Sequence, residues 1–277
     1  MHRRDTRFAV RLAEQEDWGI PARDFERILL LDPRGSFVAM ENAKRVGLAT
    51  TISYGTQIAW IGNIVVAESR RGRHIGQSLV KHAIGYLGRK GVARVALYSF
   101  DENIEFYRKL GFKMGDRFAR LRRKVRPVFS SGSEPRDQGT MRRRAMLAMD
   151  RKAFGANRSR LLVNVLDSGA GTYIGYSSGS RQSYILVKDY ADMYELGPWI
   201  SFGLRRAELE DMLRLILNTA KGKPVEIACP LKNRRILAIL SRFDFTRINQ
   251  GHVMCYRKLS ELGKPKTVVA YGFLDKG

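Results

Sequence analysis

The chain has 277 residues, of which 44% are hydrophobic and 28% charged, and a formal net charge of +23. This balance excludes a disordered polyelectrolyte, and the length suits about two domains of ordinary size. No apolar run reaches the roughly 18 residues of a membrane-spanning helix, and the opening MHRRDTRFAVRLAEQEDW lacks the apolar centre of a secretion signal, so a cytoplasmic protein is expected.

In chain order, Phe8 to Leu12 alternates like a short strand, Ala22 to Leu31 has the period of a helix, and the turn Asp32-Pro33-Arg34-Gly35 leads into a strand from Gly35 to Met40. Strands follow at Arg45 to Tyr54 and Gln57 to Val66 around a turn at Gly55. Ile75, Leu79, Ala83 and Leu87, spaced by four, give one apolar face to a helix from Ile75 to Arg89. A strand at Ala93 to Ser99, a helix from about Asn103 to Leu110 closed by Gly111, and a strand at Phe118 to Val125 complete one α/β unit.

PVFSSGSEPRDQGT, Pro127 to Thr140, has no apolar period and reads as a linker. Beyond it, Met141 to Ala153 is helical in pattern, Ser159 to Asp167 carries the apolar LLVNVL, and strands are expected at Gly171 to Tyr176, Ser183 to Asp189 and Ala191 to Leu196. The helix Arg206 to Thr219, the turn Lys221-Gly222, the strand Val225 to Cys229 and the helix Arg234 to Leu240 then repeat, at nearly equal spacing, the order found between Gly62 and Phe112. A duplicated fold accounts for this. The expected division is 1–126, a linker at 127–140, and 141–277. Cys229 and Cys255 sit in apolar contexts without metal-ligand spacing, so buried reduced thiols are expected and no metal site.

The chemistry concentrates in GNIVVAESRRGRHIGQSLV, Gly62 to Val80: an apolar strand, a short basic loop with glycines, then an amphipathic helix. A loop that turns backbone N–H groups inward at a helix N-terminus offers donors and the positive end of the helix dipole to a pyrophosphate. Arg70, Arg71 and Arg73 add charge, while Gly72 and Gly76 permit close approach. There is no G-x-G-x-x-G and no acidic residue closing the next strand, which sets the nicotinamide alternative aside.

VAESRRGRHIG resembles the acyl-coenzyme A motif of GNAT acetyltransferases, R/Q-x-x-G-x-G/A, with Arg71 first, Gly76 last, and His74 where that family has its middle glycine. NIEFYRKLGF, Asn103 to Phe112, resembles the GNAT helix and turn whose tyrosine, here Tyr107, lies near the coenzyme A sulfur. Phe100 stands where many members carry an asparagine. The stretches Asp32 to Gly62 and Asp150 to Leu162 are similar to a tandem GNAT family with a second GNAT-like domain at the C-terminus. The resemblance implies an α/β chain of two GNAT-like domains, each a mixed central sheet flanked by helices. It implies an N-acetyltransferase that uses acetyl-CoA as acyl donor and an amine as acceptor, by direct attack in a ternary complex. Ile64, Val65, Val66, Arg71, Gly72, Arg73, His74, Ile75, Gly76 and Gln77 would hold the cofactor, and Tyr107 would be the catalytic acid. For the base, Asp101, Glu68 and Tyr98 are candidates.

The second half has ISFGLRRAELEDML in place of the loop, with Glu208, Glu210 and Asp211 repelling a pyrophosphate, and Leu240 at the counterpart of Tyr107. It is therefore expected to lack a coenzyme A site. Trp199, Tyr190, Asn157 and Arg158 are candidates for an acceptor cleft. The rival is a nucleic-acid- or ribosome-associated basic protein, drawn from ARLRRKVRP, Ala119 to Pro127, and MRRRAM, Met141 to Met146. No base-reading element or stacking strand is visible, so any such binding would be non-specific.

Overall fold

The structure, a computed structural model, describes residues 1–125, 141–220, 222–257 and 263–277. The expected linker at Pro127 to Thr140 and Lys221 of the expected turn lie outside these described residues. The chain forms two compact units. The first takes residues 1–115 together with 253–257 and 274–277 of the described chain, and the second takes 116–252 and 263–273. These units do not follow a division at 126 and 141, because three segments late in the chain are shared out between the two cores.

The first unit begins with α1 (Thr6–Glu14) and α2 (Ala22–Leu31), followed by the strands β1 (Ser36–Glu41), β2 (Lys44–Tyr54) and β3 (Ile58–Val66). Next come α3 (Ile75–Arg89), β4 (Val95–Phe100), α4 (Ile104–Lys109) and the start of β5 (Phe112–Arg123). The strand expected at Phe8 to Leu12 is instead the middle of α1. Ala9, Leu12 and Ala13, spaced by three and four, are its buried positions, and they pack with Phe25, Leu48 and Val65. The strands run β1-β2-β3-β4, antiparallel except for the parallel β3–β4 pair, and the end of β10 (Thr246–Tyr256) follows β4. On the other face, Val80, Ala83 and Leu87 of α3 meet Ala59, Ile61, Val95, Leu97, Tyr107 and Phe112, with Met254 of β10 completing the cluster.

In the second unit α5 (Arg143–Phe154) and α6 (Ser159–Asp167) precede β6 (Gly171–Ser178), β7 (Arg181–Asp189) and β8 (Tyr194–Phe202). Then follow α7 (Arg206–Thr219), β9 (Val225–Pro230), α8 (Arg234–Arg242), most of β10, and β11 (Val268–Ala270). The strand order β5-β9-β8-β7-β6 is again antiparallel apart from one parallel pair, β8–β9. The sequence of β3, α3, β4 and α4 is thus matched by β8, α7, β9 and α8, each time around a parallel strand pair, as the internal repeat predicts. Cys229 and Cys255 are both buried thiols. Among the described residues no helix is long and apolar enough to cross a membrane.

Candidate functional site

β3 ends at Val66, a short turn spans Glu68–Arg70, and α3 starts at Ile75. Two of the intervening residues are left-handed: Gly72 at φ +76° and His74 at φ +59°. A Cβ on Gly72 would meet nothing within 4 Å, so glycine serves the backbone angle there rather than space. Histidine tolerates this region better than a branched side chain does, and His74 carries it as the residue preceding α3. Its carbonyl accepts from Ser78 N at 3.0 Å, opening a helix of 15 residues with no acidic side chain in its first turn. The N–H groups of Ile75, Gly76 and Gln77 have no partner inside the helix by construction, and the dipole adds about half a positive charge at this end.

The arginines of the loop are held by carboxylates. Arg71 donates from Nε to Val66 O at 3.2 Å and pairs with Glu16, while Arg70 at 2.8 Å and Arg73 at 3.4 Å share Glu41. Exposed pairs of this kind contribute about 0–1 kcal/mol, so an entering phosphate can take over the guanidinium groups. A Cβ on Gly76 would lie 3.5 Å from Phe106 Cζ and 3.7 Å from Val66 Cγ2. The loop, the end of β3 and α4 therefore converge at Gly76.

The β3–β4 ladder consists of Ala59↔Val95 and Trp60↔Ala96, although β3 continues to Val66 and β4 to Phe100. Among the described residues the ladder with β4 stops at Trp60, so the edge of β3 at Ile64 and Val65 runs on past it, while Val66 O already accepts from Arg71. The strand is bulged there: Gly62 pairs with Thr50, Val65 with Leu48, and Asn63 between them has φ +50°. Tyr107 reaches the same core cluster from α4, in edge contact with Phe106 and Phe112. Burial pushes its phenol well above the ordinary tyrosine value. Of the candidate bases, Glu68 and Asp101 are exposed in short turns, whereas Tyr98 stacks on Trp60 with ring centroids 4.5 Å apart.

The corresponding region of the second unit is closed. Glu208 in the first turn of α7 accepts from Arg205 N at 2.7 Å and Tyr176 Oη at 3.0 Å, and pairs with Arg181 at 3.2 Å. Burial raises its carboxyl, but these bonds outweigh it and hold the group below the usual range. Glu210 and Asp211 lie just past the first turn. Glu210 is engaged by Arg206 and Arg242, each at 2.9 Å. The β8–β9 ladder spans Tyr194↔Val225 to Leu196↔Ile227, and past it β11 pairs with β8 at Trp199 and Ile200 while Tyr271 N donates to Ala228 O at 2.7 Å. A strand of the chain itself lies between β8 and β9. Leu240 is fully buried in the core.

Several residues proposed from sequence have structural places instead. Trp199 is buried with Nε1 on Ser183 Oγ at 3.1 Å, Arg158 forms a buried pair with Asp150 at 2.8 Å, and Asn157 caps Ser159 N at 3.0 Å. In the basic stretch, Arg120 and Arg122 flank Glu226, and the buried Arg123 donates to Phe243 O at 3.1 Å. Sequence reasoning missed Phe106 and Asn63. For Asn63 a signal existed, since Gly-Asn interrupting the apolar run of β3 is a bulge pattern.

The family model described as acetyltransferase (GNAT) family matches residues 5–112, and one described as acetyltransferase (GNAT) domain matches residues 146–267. Serotonin N-acetyltransferase 2, chloroplastic, of Oryza sativa subsp. japonica is 29% identical over 102 residues, which is 35% of this chain and 51% of that protein. The chain thus spans about half the length of that curated relative. The crystal structure of a candidate acetyltransferase from Pyrococcus horikoshii is similar with a TM-score of 0.79 at 20% identity, covering 100% of this chain and 94% of that one. A tandem GNAT protein from the clavulanic acid biosynthesis pathway gives a TM-score of 0.67 at 11% identity, covering 94% and 98%. At such identities the two structures speak for the fold.

Proposed function

The chain belongs to the GNAT acetyltransferase family, and on that premise we propose that its first unit transfers an acetyl group from acetyl-CoA to a primary amine, by direct attack in a ternary complex. The observation that carries the reading is the parting of β3 from β4 beyond Trp60 and Ala96, beside a glycine loop that opens α3. The residues fit the cofactor: the loop is basic, its first helical turn lacks acid, and a Cβ on Gly72 would meet only open space.

Arg71, Gly72, Arg73, His74, Ile75, Gly76 and Gln77 hold the pyrophosphate with backbone N–H groups and guanidinium charge. Ile64, Val65 and Val66 offer the edge of β3 to the amide groups of the cofactor arm, and one N–H of this edge donates to the acyl oxygen. Acetyl-CoA, when bound, supplies the activated thioester. The unit orients an amine whose nitrogen bonds to the acyl carbon as the carbon–sulfur bond breaks. Tyr107, kept protonated by its burial, gives its proton to the departing sulfur. The amine gives its own proton to solvent water, which returns one to the Tyr107 phenolate after the thiol departs, and no enzyme nucleophile is needed.

The filled space between β8 and β9 and the self-capped start of α7 support a second unit without a cofactor site. Release of coenzyme A thiol from acetyl-CoA, followed with a panel containing serotonin, Nα-acetyl-lysine and a peptide with a free α-amine, tests the reading. Amine-dependent thiol release is expected. Its absence with every amine would count against transfer.

A further inference from the structure

Of the two basic stretches in the sequence, the first is tied down within the fold: Arg120 and Arg122 meet Glu226, and Arg123 is buried on Phe243 O. The second, at the start of α5, is not. Arg142 and Arg144 are exposed and their side chains have no acidic partner among the described residues. Arg143 alone of the three is paired, with Asp167 at 2.7 Å.

Helical geometry extends this basic face along α5. With about 3.6 residues per turn, positions 144, 147, 148 and 151 share one side, so Arg144 and Arg151 stand about 10 Å apart along the axis. Lys152 follows, its ammonium 5.2 Å from the ring centre of Phe202 and on no carboxylate among the described residues. Arg160, in the first turn of α6, is exposed and likewise without an acidic partner there. Between Met141 and Arg160 the sequence has one acidic residue, Asp150, which is buried under the guanidinium of Arg158. Every exposed charge of the stretch is therefore positive. A groove of about 480 Å³ lies on this face, lined by Leu147, Ala148, Arg151, Lys152, Asn157 and Ser159. Asn157 Oδ1 is taken by Ser159 N at 3.0 Å, which leaves the amide Nδ2 and the Ser159 hydroxyl as donors. The groove thus combines two cations and two neutral donors with no carboxylate.

We infer that this face of α5, with Arg144, Arg151, Lys152 and the groove beside them, docks the phosphate backbone of a nucleic acid. The inference concerns the second unit and does not rest on acyl transfer by the first. An anionic membrane would call for large apolar side chains among the cations, and among the described residues no exposed large hydrophobic lies between 141 and 160. An acidic peptide sets neutral and apolar groups between its carboxylates. A nucleic acid instead repeats one charge at every nucleotide, matching a face of one sign, and its phosphate and sugar oxygens suit the donors of Asn157 and Ser159. Contacts of this kind fix position without reading bases, so the docking is independent of sequence.

The test titrates the full chain with a labelled RNA strand of about 20 nucleotides and a DNA duplex of about 20 base pairs, over about 50 to 300 mM salt. Arg144→Gln/Arg151→Gln/Lys152→Gln neutralises the face. Arg4→Gln/Arg7→Gln/Arg11→Gln removes the same charge from exposed positions in and beside α1 and serves as the control. Both triple variants alter only exposed side chains and should melt with the parent. The α5 variant should bind the tighter of the two polymers at least about 10-fold more weakly at about 100 mM salt, while the α1 variant loses less than about 3-fold. On the RNA strand, three lost phosphate contacts should flatten the slope of log affinity against log salt by about 2. Tighter binding of either polymer fits the inference and tells which sugar is preferred. Equal losses in the two variants would overturn it in favour of diffuse attraction by the net charge. So would an unaltered chain that binds both polymers more weakly than about 100 μM at that salt, below the non-specific range. Phosphatidylglycerol vesicles or polyglutamate binding more tightly than either nucleic acid, through the same three residues, would overturn the choice of partner.

Discussion

Phe106 Cζ stands 3.5 Å from the point that a Cβ on Gly76 would occupy, an ordinary van der Waals distance. The glycine is thus not required by packing, and its φ is not left-handed. Gly76→Asp should fold, with a melting temperature close to that of the parent, yet set a carboxylate where a pyrophosphate would bind. Acetyl-CoA affinity measured by calorimetry should fall at least about 100-fold, a loss of about 2.7 kcal/mol. Unaltered affinity would move the phosphate contact away from this loop.

Tyr107→Phe keeps the edge contacts with Phe106 and Phe112 and removes only the proton. Turnover should fall about 10- to 1,000-fold with cofactor affinity nearly intact. Burial raises the phenol, so the native chain keeps a proton that an unfolded tyrosine releases near pH 10. Its contribution to stability is complete below that pH and is lost as pH rises through the higher native value. Thermal melts from pH 8 to 11 should show a shallower alkaline decline in Tyr107→Phe.

Glu208 caps α7, and its carboxyl lies below the ordinary glutamate value near 4.5. Its stabilisation is complete above that pH and fades as pH falls through the lower native value. At pH 7, Glu208→Ala should cost about 1–2 kcal/mol in denaturant melts, in the range of a lost cap with its hydrogen bonds. Below pH 4 the difference from the parent should shrink.

Most elements were legible because their apolar periods were long enough to decide. Leu79, Ala83 and Leu87, each buried, mark α3 without ambiguity. Phe8 to Leu12 failed for the opposite reason: five residues fit alternation as well as a helical face, and only Ala13 and the rest of α1 break the tie. β5 begins at Phe112, six residues before the expected Phe118, because Gly115 and Asp116 hide its pattern. Within the site, the loop and Tyr107 could be read locally, since their neighbours in sequence are their neighbours in space. The partnership of Asn63 with Asp275 spans 212 positions and left no local trace. The same is true of β11, whose three residues carry no period yet occupy the space between β8 and β9.

That strand leads to the most direct measurement. Titration of the full chain with acetyl-CoA by calorimetry should give one site per chain, abolished by Gly76→Asp and untouched by Glu208→Ala. Two equivalent sites, or a single site that survives Gly76→Asp, would contradict an acyltransferase whose cofactor is held by the first unit alone.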